Sequence, residues 1–168
     1  MRLLALLLTL LWSGVVWAAR PELSGAWVLD EARSQSMDPI LEARGVSWFE
    51  RQAMSWIDLT TILSVEGDAL IVAVESSVYS RSDRYIGDGQ VRVIQSEREG
   101  TLKQSCRWTD TAFIVETELT LPDGRPALWR VTRSVTADGA TLLYDAELRI
   151  TGGETLTARR VMTRAPTP

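Results

Sequence analysis

Ten short stretches of alternating apolar and polar residues, punctuated by Gly, Asp and Pro, run from residue 22 to residue 164. That punctuation is the strongest constraint on the fold. The stretches cover 22–31, 60–64, 69–77, 79–86, 90–97, 101–108, 112–121, 128–136, 140–151 and 154–164. The turns between them include Glu66-Gly67-Asp68, Gly87-Asp88-Gly89, Pro122-Asp123-Gly124, Ala137-Asp138-Gly139 and Gly152-Gly153. Turns of this chemistry reverse the chain within a few residues and join antiparallel neighbours. The expectation is all-β: a ten-stranded antiparallel up-and-down barrel, closed so that no edge is left unpaired.

Alternation assigns the faces. Phe113, Val115, Thr117, Leu119 and Leu121 share one side of their strand, as do Leu142, Tyr144, Ala146, Leu148 and Ile150. Asp145, Glu147 and Arg149 take the opposite side, the period of two expected of a half-buried sheet. Two strands break the rule in the same way. The apolar face of 128–136 reads Trp129, Val131, Arg133, Val135, and that of 154–164 reads Leu156, Ala158, Arg160, Met162. The strand 101–108 adds Gln104 and Cys106 to an inward row with Leu102 and Trp108.

A guanidinium stays charged when buried and needs an acceptor. An apolar barrel with a few convergent donors suits a hydrophobic ligand that carries a carboxylate. On that reading Arg133 and Arg160 bind the head group with support from Gln104, and Phe113, Trp129, Tyr144, Met162 and Cys106 line the cavity. The alternative is a pair of structural arginines satisfied by internal acids, or arginines near a rim that reach water.

Between the first and second strands lies a different pattern, residues 37–58. Asp38 suits an N-cap, Pro39 the first helical position, and Gly45 a stop. Ser47 and Glu50 have the spacing of a capping box for a second short helix. Phe49, Ala53, Trp56 and Ile57 then form its apolar face, with Glu50 and Arg51 turned away. Such a helical cap plugs an open barrel end, or serves as a lid in which Phe49 and Trp56 guard a ligand entrance.

Residues 1–18 combine one basic residue, Arg2, an apolar run and small residues before Ala18. This is the pattern of a secretory signal peptide, cut after Ala18, which leaves 19–168 as a single domain of about 150 residues. Export to the periplasm or the medium is the expectation, with no stable membrane anchor after cleavage. Without Arg2 the balance is 17 basic against 22 acidic residues, a net charge of −5, and the basic residues are scattered. Nucleic acid is not an expected partner.

The chain has no histidine and one cysteine. Ser-His-Asp and Cys-His centres are therefore impossible, and the commonest zinc and haem ligand is missing. No phosphate-binding glycine loop occurs, and no carboxylate pair stands out. The expectation is a protein with no catalytic residues, no metal and no cofactor. Cys106 cannot form an internal disulfide and is expected as a buried thiol or an intermolecular link.

The Gly25-x-Trp27 of the first strand, two short helices and nine further strands resemble the fatty-acid-binding proteins of the calycin group. The likeness is best across "LSGAWVLDEARSQSMDPILEARGVSWFERQ" and "ILSVEGDALIVAVESS". It implies a lipid-binding barrel whose last strand carries an Arg-x-Tyr at the ligand carboxylate. Here "ARRVMTR" matches the arginine with Arg160 and replaces the tyrosine with Met162, and Arg133 resembles the family's second inward arginine. Lipocalins share the Gly-x-Trp but usually have eight strands and a C-terminal helix. Members of the fatty-acid-binding family are usually intracellular, unlike the export expected here.

The function expected is non-catalytic binding or carriage of a hydrophobic small molecule, a fatty acid or related lipid carboxylate. Two alternatives stay open: an interaction module of the cell envelope whose barrel is filled by its own side chains, and a calycin-type enzyme.

Overall fold

The computed structural model describes residues 20–55, 59–77 and 79–166. The expected signal segment 1–18 and Trp56 lie outside them. The described residues form one antiparallel sheet of ten strands. These are β1 (Gly25–Leu29), β2 (Thr60–Glu66), β3 (Ala69–Glu75), β4 (Ser80–Ile86), β5 (Asp88–Ser96), β6 (Gly100–Trp108), β7 (Phe113–Thr120), β8 (Pro126–Val135), β9 (Thr141–Ile150) and β10 (Thr155–Arg164). A 3-10 turn (Glu31–Arg33) and the helices α1 (Asp38–Ala43) and α2 (Trp48–Ser55) intervene between β1 and β2. The architecture is the expected all-β barrel type with a helix-turn-helix after the first strand.

The strand order is β4-β3-β2-β1-β10-β9-β8-β7-β6-β5. Every pairing joins sequence neighbours except β1 with β10, where Trp27 faces Arg164 and Leu29 faces Met162. The expected closure is corrected at one place. β4 and β5 are the two ends of the sheet, although they follow one another in the chain. The Gly87-Asp88-Gly89 segment was expected to be a hairpin turn, but β5 already begins at Asp88. A single intervening residue is too short for a hairpin, whose tightest common connection has two. Gly87 instead donates its N–H to the Asp68 carbonyl at 2.8 Å. It also lies flat against Trp108 and Phe113, where a Cβ would come within 2.5–2.8 Å of both rings. Charged residues along β4 (Arg81, Asp83, Arg84) and in β5 (Asp88, Arg92) guard the two free edges against further pairing.

The inward faces are those assigned by alternation. Val115, Leu119, Trp129, Val131, Leu142, Ala146, Leu148 and Ile150 are buried in one cluster with Trp27, Leu63, Leu70 and Phe113. At the β1–β2 side Trp27 is completely buried and donates its indole N–H to the Leu23 carbonyl at 3.1 Å.

The helices follow the expected punctuation with two differences. The residue before α1 is Met37, and Asp38 is the first helical residue with Pro39 behind it, so Asp38 is not the cap. The capping box forms as expected: Ser47 N–H donates to Glu50 Oε2 at 2.9 Å and Glu50 N–H to Ser47 Oγ at 3.3 Å. Of the expected apolar face of α2, Trp56 and Ile57 lie outside the described residues, and Phe49 is not turned inward. Phe49 is 76% exposed, whereas Arg51 folds inward to donate to the Val46 carbonyl at 2.7 Å. Arg51 also lies 3.4 Å from Asp38 and 3.6 Å from Glu42, so α1 captures the guanidinium and sets the phase of α2.

Gly45 ends α1 with φ +77°. Its N–H reaches the Glu42 carbonyl at 2.9 Å, and the Val46 N–H reaches Leu41 at 2.9 Å, the paired closing bonds of a Schellman end. A Cβ on Gly45 would stand 2.6 Å from Pro122 Cγ in the β7–β8 turn. Gly45→Ala is expected to lower the unfolding free energy by on the order of 1–3 kcal/mol from backbone strain, with the Pro122 contact added. Gly124, at φ +87° with nothing within 4 Å of its hypothetical Cβ, supplies the control. In urea denaturation Gly124→Ala should cost less than Gly45→Ala, and equal costs would show that the Pro122 contact is unimportant.

Candidate functional site

The registers of β6 to β10 bring five inward side chains to one level. Trp108 pairs with Phe113, Phe113 with Arg133, Arg133 with Tyr144, and Tyr144 with Arg160. Tyr144 therefore stands between the two inward arginines, one strand from each. The level above holds Cys106, Val115, Val131, Ala146 and Ala158, and the next Gln104, Thr117, Trp129, Leu148 and Leu156. Small residues in the middle level leave space between the two larger ones.

That space is a cavity of about 210 Å³. Of the residues expected in the site, it is walled by Arg133, Gln104, Trp129 and Tyr144. Arg133 is 8% exposed. Its guanidinium carbon lies 5.1 Å from the centre of the Tyr144 ring and 5.8 Å from that of Tyr85. Its Nη1 is buried without a hydrogen-bond partner, and among the described residues no carboxylate stands within ion-pair distance. Burial raises the Tyr85 phenol above its ordinary pKa, with the Arg133 charge acting in the opposite direction. Gln104 Nε2 donates to Thr117 Oγ1 at 3.2 Å.

The other expected residues take different places. Arg160 is half-buried beside Tyr144 but not on the cavity wall, and its Nε is buried without a partner. Burial pushes the Arg160 guanidinium below its ordinary pKa, with Glu31 opposing. Phe113 is fully buried and packs edge-on against Trp108, 4.6 Å between centroids, so it fills the barrel at the arginine level beside the cavity and does not line it. Met162 packs into the core opposite Leu142. Cys106 is buried in the middle level, its Sγ 3.9 Å from Gln104 Oε1, and is not on the wall. Phe49 points to solvent and reaches neither cavity nor core, because Arg51 occupies the inner side of α2.

Sequence reasoning assigned no role to Tyr85 and Arg44. Tyr85 belongs to the polar alternation of β4, which carries no apolar face to mark it. Arg44 sits at the end of α1, where only the three-dimensional path of the chain brings it over the barrel. Its guanidinium lies 4.9 Å from the Trp129 ring centre and is held by two 2.8 Å bonds to Glu99 in the β5–β6 turn. Arg44 walls the interior cavity on one side and a cleft of about 250 Å³ on the other, the cleft being bounded by Gly45, Arg98, Glu99 and Pro122. A second bridge, Arg98 to Glu50 at 2.6 Å, ties α2 to the same turn. Glu50 is held down at a pKa of about 2, chiefly by the Arg98 hydrogen bond.

Among the described residues no group of three or more His, Cys, Asp or Glu side chains is placed to hold a metal ion, and no helix is long and apolar enough to cross a membrane. What the cavity offers is an uncompensated cation, phenol and amide donors, and apolar walls.

No protein-family model matches the chain, and no curated protein matches it in sequence. Solved structures do. The REP1-NXSQ fatty acid transporter superposes with a TM-score of 0.62 at 17% identity, over 87% of this chain and 98% of that one. Caenorhabditis elegans lipid binding protein 8, in its apo form, gives 0.64 at 17% identity over 84% and 94%. A Schistosoma mansoni fatty acid binding protein in complex with arachidonic acid gives 0.59 at 20% identity over 85% and 96%.

Two measurements test this picture of the site. An ion taken from water retains a penalty of several kcal/mol, whereas two ring contacts at 5–6 Å return roughly 0.5–1 kcal/mol each. Arg133→Met is therefore expected to stabilise the ligand-free protein by about 1–3 kcal/mol in urea titration; a lowered midpoint would mean that the guanidinium has a compensating partner. Burial pushes the Cys106 thiol up to about 11, so thiolate is scarce below that pH. The folded protein at pH 8 should react with a thiol reagent at least ~10-fold more slowly than the urea-unfolded chain, and equal rates would place Cys106 in solvent.

From these solved structures, the chain has the fold of the fatty acid binding proteins.

Proposed function

We propose that this is an exported, non-catalytic binding or carrier protein that holds a hydrophobic carboxylate, a fatty acid or related lipid acid, inside its barrel. The observation that carries the reading is Arg133: a buried cation faces a cavity between two tyrosine rings, with no carboxylate of the described chain to neutralise it. A ligand carboxylate supplies the missing charge and acceptors in a site where charge-assisted hydrogen bonds are strongest. Arg160 lies two strands away at the same level, behind Tyr144 and off the cavity wall, with its Nε also unsatisfied, so it serves as a second cation that raises the positive potential of the head-group region. Gln104 is the supporting donor, and Trp129, Tyr144 and the valines cover the apolar part.

The structural neighbours support this reading, since one is a fatty acid transporter and another was solved with arachidonic acid. Export rests on the signal-like residues 1–18.

The test is lipid-acid binding by the wild type and by Arg133→Ala plus Arg160→Ala. The desolvated Arg133–carboxylate contact is worth on the order of 1.5–3 kcal/mol, so the double variant should bind at least ~10-fold more weakly. Unchanged affinity would remove the arginines from the head-group role.

A further inference from the structure

We infer that the site takes compact carboxylates of six to ten carbons and discriminates against long-chain acids, with the Arg44–Trp129 contact as the stop at the tail end. The inference rests on the carboxylate-binding reading above and adds to it the size of the ligand. Three observations carry it.

The first is volume. An apolar cavity of about 150 Å³ is filled by benzene, or roughly 25 Å³ per non-hydrogen atom. At that density about 210 Å³ holds roughly eight atoms, those of a six-carbon acid, which sets the lower end of the range. A sixteen-carbon acid carries about 18 and does not fit within the same walls.

The second is length. The cavity wall on β8 runs from Trp129 to Arg133. Four residue steps at ~3.3 Å give roughly 13 Å. An extended hydrocarbon advances ~1.25 Å per carbon from a 1.5 Å bond at a near-tetrahedral angle. With the carboxylate on Arg133, the tail meets Trp129 after about nine or ten carbons.

The third is that both ends are blocked by well-held side chains. At the arginine level itself, Phe113 and Trp108 pack edge-on and Gly87 lies against them with no spare room. At the other end Arg44 is clamped by two bonds to Glu99 and lies over the Trp129 ring. Beyond Arg44 lies the outer cleft of about 250 Å³, so this one side chain separates two spaces that together would admit a longer tail.

The shared chemistry is a small carboxylate with an apolar body, and both straight-chain and aryl-substituted acids supply it. The experiment is calorimetric titration of the mature, delipidated protein with saturated acids of six to eighteen carbons and with phenylpropanoic acid, repeated on Arg44→Ala. The wild type is expected to bind best between six and ten carbons and at least tenfold more weakly at sixteen. Arg44→Ala is expected to move the optimum to fourteen carbons or beyond. Phenylpropanoate binding tighter than any straight chain assigns the aryl source, and the reverse assigns the medium-chain source. Wild-type affinity that rises steadily to sixteen or eighteen carbons overturns the size limit while leaving the carboxylate reading intact. An unmoved optimum in Arg44→Ala overturns the stop, and should that variant fail to fold, the wild-type series still decides the size limit. No binding of any acid by the wild type overturns the carboxylate reading itself, and the size limit with it.

Discussion

The barrel depends on one long-range pairing, β1 against β10. All other ladders join strands that follow one another in sequence and can form locally, but this one brings residue 27 to residue 164 and curls the sheet. Its chemistry is specific. Arg164 lies 4.4 Å from the centre of the Trp27 ring and donates to the carbonyls of Ser24 at 3.2 Å and Gly139 at 3.1 Å. Gly25, at φ +142°, leaves the room this guanidinium needs, because a Cβ there would collide with Arg164 Nη1. The Gly-x-Trp pair of the first strand and an arginine near the end of the chain are therefore two halves of one clasp.

With the sheet wound in that way, its two faces treat charge differently. On the outside Arg130 and Arg107 share Glu116, Arg159 pairs with Asp145, and Arg149 with Glu147. The exposed Arg159–Asp145 and Arg149–Glu147 bridges contribute little each to stability, whereas Glu116 is part-buried between its two arginines. On the inside Arg133 and Arg160 have no such partners among the described residues. A chain that satisfies its outward arginines so regularly and leaves inward guanidinium nitrogens unpaired holds them at a cost to the stability of its own core.

The helical cap is fastened rather than merely laid over the barrel. Arg44–Glu99 and Glu50–Arg98 hold both helices to the β5–β6 turn, and Gly45 seats the corner between them on Pro122. The same fastening places Arg44 over Trp129 and so makes the cap part of the cavity wall. The open seam between β4 and β5 lies on the side where Tyr85 reaches in toward Arg133.

Alternation and turn chemistry were enough to read ten strands, their inward faces, the helical pair and its capping box from residues alone, because each depends on neighbours a few positions apart. Arg133, Gln104, Trp129 and Tyr144 were legible as inward residues for the same reason. What the tertiary structure decided is where those faces meet. Register between strands puts Tyr144 between two arginines, and the outward turn of Phe49 follows from Arg51 being captured by α1. The hairpin expected at Gly87 gave way to a splayed seam because one residue cannot turn an antiparallel pair. Tyr85 and Arg44 enter the cavity from segments with no apolar periodicity, so no local pattern could mark them. The cavity's volume and the acids missing from it are sums over distant side chains, and only packing fixes such sums.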